Sequence, residues 1–553
     1  MVRGLNNSLK TGLAFLTTLI YFTAGGRNLS AQPAYSYFYR VYFVNKGAND
    51  LRDFNLTYLF SQRSVTRRIR NGNPNPDIRD IPVNKTYTDQ IATLGFRLHC
   101  TSRWMNTALF KTGTPADISI LTALPFVKEV KLVRDLGAKN TQRDKLDMGL
   151  RQADEPPFNR PLTMLNALSV HNSGFTGENV EIAVLDAGFN NTDNIESLRP
   201  LRDRSGIVGT RDFVLNNQAV YDYHYHGTAV LSVLAGSVPG LLEGTAPGAN
   251  YWLLRTEDPE TEFPVEEDYW VAGAEYADSA GADIISSSLG YFIFDDPSMD
   301  YKYSDLDGKT AFVSAAADIA VSRGIIVVNS AGNERNSDWV HIIAPADGDS
   351  VIAAGAVDGD KIISYFSSAG PSYDRRIKPD VVAQGVSVPV QIEAGSVSRA
   401  NGTSFSCPVI SGMCACVLQA APDANAYDII KRIRAGADRY LHPDSLYGYG
   451  IPDFAQIVTK IEEDLPAKQG NGALLFPNPF TDELRIFLNK VPGSLSIQLF
   501  SISGILLFER DFGEYISRSV ILNGLTQLTN GIFIVRLITS SETFTRKVIK
   551  IRK

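Results

Sequence analysis

Between residues 158 and 461, short apolar runs of strand character alternate with runs of helical character. They fall at 180–185, 229–235, 251–255, 272–280, 284–287, 311–322, 325–329 and 351–354. A strand that is apolar throughout is buried on both faces, and helical crossovers join such strands in parallel. The region therefore reads as an α/β domain: a mostly parallel sheet with helices on both faces. Sheets of this kind gather their reactive groups at the carboxyl ends of the strands.

A chain of 553 residues exceeds a single core, and both flanks differ from this region. At the start, Arg3 and Lys10 precede an apolar run at 13–22 and then small residues up to Ser30 and Ala31. That is the layout of a signal peptide, residues 1–31, with the mature chain beginning at Gln32; the run is too short to be read as a membrane span. Residues 32–134 read as a small α+β unit, with strands at 37–44, 96–100, 104–110 and 127–133 and helices at 56–70, 87–94 and 118–124. The basic end of its first helix, Arg63, Arg67, Arg68 and Arg70, is expected to be a solvated face. Residues 135–157 read as a polar, exposed linker open to nicking. Residues 462–472, charged and then rich in Gly and Asn, read as a second linker. From 473 to 553 the alternation is purely β, broken by turns such as Ser503-Gly504 and Asn530-Gly531, which predicts a β-sandwich.

Net charge is −7, with no basic block or aromatic-basic stripe, so nucleic acid is not an expected partner. Three of the four cysteines, Cys407, Cys414 and Cys416, fall on one predicted helix at spacings that do not bring sulfurs together, and Cys100 lies far upstream. They read as small buried hydrophobes.

The chemistry is carried by four strings. Asn401-Gly402-Thr403-Ser404-Phe405-Ser406-Cys407-Pro408 is a polar turn feeding an apolar helix. A hydroxyl there sits beside free backbone N–H groups and the positive end of the helix dipole, although Ser and Thr at helix starts are most often plain caps. Residues 181–188 form an apolar strand ending in Asp186, a carboxylate desolvated unless something pairs with it. His226-Gly227-Thr228 places a histidine just before a helix of small residues; its Gly-Thr neighbours favour it over His224. Residues 326–333 form a buried strand ending in Gly332-Asn333. Each string alone fits a cap, a turn or a packed side chain. Their order along the chain, Asp, His, Asn, Ser, narrows the choice.

In these strings the chain resembles the subtilisin-like serine proteases (subtilases) over about 158–461, most specifically in Gly402-Thr403-Ser404 followed by Pro408. The resemblance implies Ser404 as nucleophile, His226 as general base and Asp186 as its orienting carboxylate, with the Asn333 amide and the Ser404 N–H as oxyanion donors. These groups are expected to converge at one rim of the sheet, with the hydroxyl within reach of the imidazole. It also implies that Ser288, Leu289 and Gly290 pair with a substrate strand and that Ala331 and Gly332 form a pocket wall. No cofactor is needed for such chemistry. Structural calcium is common in the family, but no ligands are assigned: Asp193, Asp295, Asp296 and Asp305 are scattered loop acids. The resemblance further implies polypeptide substrates, a monomer, and an inhibitory prodomain at 32–134 with its maturation region at 135–157. The C-terminal unit, with Phe476-Pro477-Asn478-Pro479-Phe480 and a basic end, is similar to type IX secretion sorting domains of Bacteroidetes. That implies engagement with secretion machinery and export through the periplasm and outer membrane to the exterior or cell surface. Two rivals share the scaffold: a non-catalytic adhesive protein, and an esterase or amidase using the same triad.

Overall fold

The computed structural model describes residues 36–551 apart from 52–58, 74, 137–144, 147, 153–159, 470–472, 477, 489–491 and 516–518, so the expected signal peptide lies outside the described residues. The N-terminal unit comprises β1 (Tyr37–Phe43), α1 (Gln62–Arg70), α2 (Lys85–Thr93), β2 (Arg97–Ser102), β3 (Thr107–Thr112) and β4 (Val127–Asp135). Its strands form one antiparallel sheet in the order β2-β3-β1-β4. Side chains alternate across a strand, so neighbouring residues of β1 face opposite ways. Tyr39 and Val41 join Phe96 and Phe110 in the unit's own core. Phe38, with Leu109 and Val133, packs instead against Val214, Phe263, Val265 and Tyr269 of the next unit.

The chain next adds β5 (Arg151–Gln152), β6 (Glu181–Asp186), β7 (Ile207–Asp212), α3 (His226–Ala235), β8 (Asn250–Arg255), α4 (Val265–Ala280) and β9 (Ile284–Ser287). Then come α5 (Phe312–Ser322), β10 (Ile326–Ser330), β11 (Ile352–Val357), β12 (Val381–Gln384), β13 (Val388–Glu393), β14 (Ser396–Ala400), α6 (Thr403–Ala420), α7 (Ala426–Ala435) and α8 (Phe454–Gln469). Seven strands form the expected sheet, β12-β11-β10-β9-β6-β8-β7, with every neighbouring pair parallel. β6, β10 and β11 are buried at every residue, as strands covered on both faces must be. Helix α6 is long and apolar enough to cross a membrane, yet it is buried within this domain, packed on β9 through β12. α4 begins seven residues before the apolar run at 272 because its first turn is acidic, Glu266-Glu267-Asp268, which suits the positive end of the helix dipole.

Three expectations need correcting. The arginines of α1 are not a solvated face: Arg67 and Arg68 are buried, and both guanidinium groups pair with the buried Asp278 of α4. Arg63 and Arg70 reach Asp283 at 2.7 and 3.0 Å. The partner acids lie more than two hundred residues away, so local periodicity could not reveal them. The stretch 135–157 is not uniformly exposed either. Lys145 is inserted among carboxylates, Met148 is buried, and β5 pairs antiparallel with β14. The supposed second linker is helical through Gln469, because α8 continues past residue 462.

The C-terminal unit has β15 (Ala473–Phe476), β16 (Leu484–Leu488), β17 (Gly493–Ser501), β18 (Leu506–Tyr515), β19 (Ser519–Leu522), β20 (Gly531–Thr539) and β21 (Thr543–Lys550). They form two sheets, β15-β16-β19 and β18-β17-β20-β21, around a shared core that includes Phe480, Ile486, Ile497 and Val535. This is the expected β-sandwich.

The N-terminal unit is fastened mainly to α4. Arg40 forks onto Asp268 at 2.9 and 2.8 Å and covers the Phe312 ring. Ser102 and the Arg103 and Trp104 N–H groups donate to Glu275 at 2.6, 3.1 and 3.0 Å. Burial alone would push the Asp278 carboxyl up, but Arg67, Arg68 and Arg103 overrule it and hold it below the usual range. A carboxyl lowered in this way contributes stability that is complete above the unfolded value, about 3.9, and is lost as pH falls through the folded one. Asp278→Asn should therefore weaken docking of the N-terminal unit by about 3–5 kcal/mol at neutral pH. The difference from the parent chain should shrink below about pH 4, read by denaturant titration of the full chain.

Candidate active site

Asp186 ends β6 with no solvent exposure. An unpaired carboxylate there would be costly. Its Oδ1 accepts from the Ala187 N–H at 2.8 Å, and His226 Nδ1 lies 2.8 and 3.0 Å from its two oxygens. A carboxylate can only accept, so Nδ1 carries the proton and Nε2 is left as the basic nitrogen. His226 is the first residue of α3, and the next residue must be small. A Cβ at Gly227 would stand 2.4 Å from the Gly188 carbonyl oxygen and 2.9 Å from Asp186 Cβ. His224 lies outside the pair: it stacks on Tyr225, and its Nδ1 accepts the His226 N–H at 3.2 Å.

Ser404 stands in the first turn of α6, after Gly402 in the left-handed region at φ 146°. Two donors flank the space above this glycine. A Cβ built there would lie 3.6 Å from the Ser404 nitrogen and 3.7 Å from Asn333 Nδ2. Asn333 is oriented by Thr403, whose backbone N–H and hydroxyl both donate to Asn333 Oδ1, at 2.9 and 3.0 Å. A backbone N–H cannot accept, so the amide oxygen must face Thr403 and Nδ2 faces the opening. The Thr403 hydroxyl also accepts the Gly332 N–H at 3.2 Å. Sequence reasoning overlooked Thr403, although it lies within the recognised string.

His226, Ser404 and Asn333 line one cleft of about 730 Å³, so three of the four expected groups share a rim, with Asp186 beneath. One expected contact is not made: the Ser404 hydroxyl donates to the Ser288 carbonyl at 3.4 Å, and no hydrogen bond joins it to His226 among the described residues. Ser288, Leu289 and Gly290 form one wall, with the Leu289 carbonyl held by Asn329 Nδ2 at 2.8 Å. Gly332 lines the cleft as expected. Ala331 does not: it is fully buried and donates its N–H to Ala354 at 3.0 Å. Burial pushes the nearby Cys407 thiol up to about 11, which leaves no thiolate to compete with the serine. The cysteines are all free, with three buried and Cys100 half-buried.

Among the described residues the scattered loop acids do not converge with one another. Asp193 accepts from Asn194, Asp296 from the Ser298 N–H and Asp305 from the Lys302 N–H, each a local turn or cap, whereas Asp295 accepts the Glu262 N–H at 3.2 Å and lines the cleft. The acids that do converge are Glu257, Glu262 and Glu266, and the Lys145 ammonium fills the space between them. Burial would lower Lys145, but the three carboxylates outweigh it and raise it well above the lysine range. Burial pushes Glu262 up to about 8 against the pull of Lys145.

Comparison with known proteins gives three matches along the chain. The subtilase family model covers residues 177–450, the Bacteroidota propeptide domain of peptidase family S8 covers 38–147, and a secretion system C-terminal sorting domain covers 474–551. Subtilisin E of Bacillus subtilis (strain 168) is 31% identical over 294 residues, 52% of this chain and 68% of its own length. Subtilisin of Bacillus pumilus is 31% identical over 52% of this chain and 94% of its own. Subtilisin DY of Bacillus licheniformis is 31% identical over 54% and 97%. Among solved structures, MycP1 from Mycobacterium smegmatis overlays with a TM-score of 0.44 at 21% identity, covering 58% of this chain and 90% of that one. With a family propeptide before it and a sorting domain after it, the chain belongs to the subtilase family and is a subtilisin-like serine peptidase.

Proposed function

We propose that the protein is an endopeptidase made as an autoinhibited precursor, with Ser404, His226 and Asp186 as its triad. The observation that carries this is the Asp186–His226 pair standing in one cleft with Ser404 and the Asn333 amide. A turn about the Ser404 side chain takes its hydroxyl from Ser288 toward Nε2, a contact that commonly tightens only when substrate is bound. Ser404 Oγ then attacks the peptide carbonyl carbon as its proton passes to Nε2. Asp186 holds the ring in the tautomer that can accept it and stabilises the imidazolium. The C–O bond forms as the carbonyl π pair moves onto oxygen. That oxyanion settles between the Ser404 N–H and Asn333 Nδ2, the two donors beside Gly402. The imidazolium gives its proton to the leaving amine, and water hydrolyses the acyl-enzyme by the same route in reverse order. Ser288 to Gly290 offer the strand edge along which a peptide lies.

The C-terminal sorting domain makes this a secreted or cell-surface protein. On our reading, residues 1–31 direct export to the periplasm and residues 473–553 direct passage across the outer membrane. Residues 32–134 form the inhibitor, cut away within 135–157, and 158–461 is the catalytic part. A structural calcium is compatible with the family, and no ligand set is assigned to it.

Two measurements test these assignments. A fluorophosphonate probe should label the mature protein and fail on Ser404→Ala, and that variant should accumulate as a precursor retaining residues from Gln32 onward. Labelling of Ser404→Ala, or its normal processing, would remove Ser404 from the role or show that another protease matures the chain. Thr403→Val removes one of the two hydrogen bonds that orient the Asn333 amide while keeping the shape, and should lower kcat by up to about tenfold with KM little changed. A rise in KM at constant kcat would place Thr403 in ground-state binding instead.

A further inference from the structure

The cleft wall opposite Ser288–Gly290 carries an anionic site that the catalytic reading does not use. Glu257 follows β8, Glu262 precedes α4, and Glu266 lies in its first turn. One carboxylate oxygen from each lies within 4.8 Å of those from the other two. Glu257 and Glu266 are buried, at 2% and 0% exposure. Fixed donors hold the cage in shape: the Tyr291 hydroxyl donates to Glu257 at 3.1 Å, and the Asp258 N–H donates to Glu266 at 2.7 Å.

An acidic cluster alone would not identify a ligand, but here the ligand is visible. The Lys145 ammonium sits 2.6 Å from Glu257, 3.0 Å from Glu262 and 2.9 Å from Glu266, and donates to the Thr261 carbonyl at 2.8 Å. Lys145 comes from the end of the propeptide region, and both it and Leu146 line the cleft that holds His226 and Ser404. Beyond them the Met148 carbonyl accepts the Asn401 N–H at 2.9 Å, three residues before Ser404. A polypeptide therefore lies in the cleft with a lysine side chain in the cage. Once the propeptide leaves, three carboxylates face a cleft through which other polypeptides pass, with no cation between them.

We propose that Glu257, Glu262 and Glu266 form a specificity site selecting substrates with a lysine or arginine at one fixed position relative to the cleaved bond. This rests on the peptidase reading above. The donor set supports a cationic occupant: three carboxyl groups and the Thr261 carbonyl all turn oxygens toward one point, and an ammonium fills it. The geometry supports a side chain over a free ion, because the observed occupant is a side chain carried on a peptide in the cleft. A calcium ion bound by the same oxygens is the rival occupant, since carboxylates and a carbonyl also suit it.

The test uses mature enzyme obtained from the full chain. A peptide mixture is digested and the cut sites are read by mass spectrometry, with and without chelator and with and without added calcium. Lysine and arginine should be enriched at a single position. A peptide pair differing only in Lys against norleucine at that position should differ at least about tenfold in kcat/KM. Glu257→Gln and Glu266→Gln should each reduce that ratio. Cleavage with no position enriched in basic residues would overturn the proposal whatever the variants do. So would a preference for Lys that is lost on chelation and restored by calcium, which would assign the carboxylates to a metal ion. Absence of all cleavage would defeat the peptidase reading itself, and this inference with it.

Discussion

A carboxylate with no access to water sets the terms for this structure. Asp186 closes the buried strand β6, and its charge is tolerated only because the Ala187 N–H and the His226 ring meet it. For the ring to reach it, the start of α3 must cross directly over the end of β6, which explains why residue 227 has no side chain. The strand order does the rest. β6 lies between β9 and β8, so the chain leaving β9 becomes the Ser288–Gly290 wall and the chain leaving β8 becomes the Glu257 wall. β10, on the far side of β9, delivers Asn333 to the same rim. The cleft is thus a consequence of which strands neighbour the one that ends in aspartate.

A second constraint runs along α4. Five acids of this helix, Glu266, Glu267, Asp268, Glu275 and Asp278, are buried in the described structure. Glu275 and Asp278 lie toward its C-terminus, where negative charge opposes the helix dipole. They are supported by cations and donors from the N-terminal unit, Arg67, Arg68 and Arg103 among them. On the precursor reading proposed above, release of the N-terminal unit would leave these carboxylates hydrated, whereas a wholly apolar face would be exposed at a lasting cost. Apolar contacts of Phe38, Leu109, Val133 and Trp104 accompany these charges.

The sequence made the sheet readable because parallel buried strands are continuous apolar runs, as β6 and β10 are. It made the site readable because His226, Asn333 and Ser404 each stand where a short string changes from one element to the next. It did not make the arginines of α1 readable, since their burial depends on Asp278 and Asp283, far along the chain. Nor did composition separate Gly332 from Ala331: the two are adjacent, and only the path after β10 turns one to the cleft and the other to the core. Nothing local marked Glu266, which lies before the apolar run at 272, and its convergence with Glu257 and Glu262 depends on how the chain from β8 enters α4. The extent of α8 was hidden for a simpler reason. Charged residues past 461 resemble a linker as much as the exposed end of a helix.

The path of residues 145–152 joins these threads. Lys145 is held in the carboxylate cage, the Met148 carbonyl is held by Asn401, and β5 extends β14, the strand that leads into the Ser404 loop. The segment is therefore pinned on both sides of the nucleophile by contacts that owe nothing to the bond between them. On the reading proposed here, the first peptide the site meets is its own, and no diffusion or ordering step precedes that encounter. α4 carries the cage acid Glu266 in its first turn and docking acids from Asp268 to Asp278 along its length. Its position thus fixes both the docked N-terminal unit and the acid that receives the Lys145 side chain. Cutting the segment would leave the cage and the docking face each to hold its own piece, so departure requires both sets of charges to be given up to water.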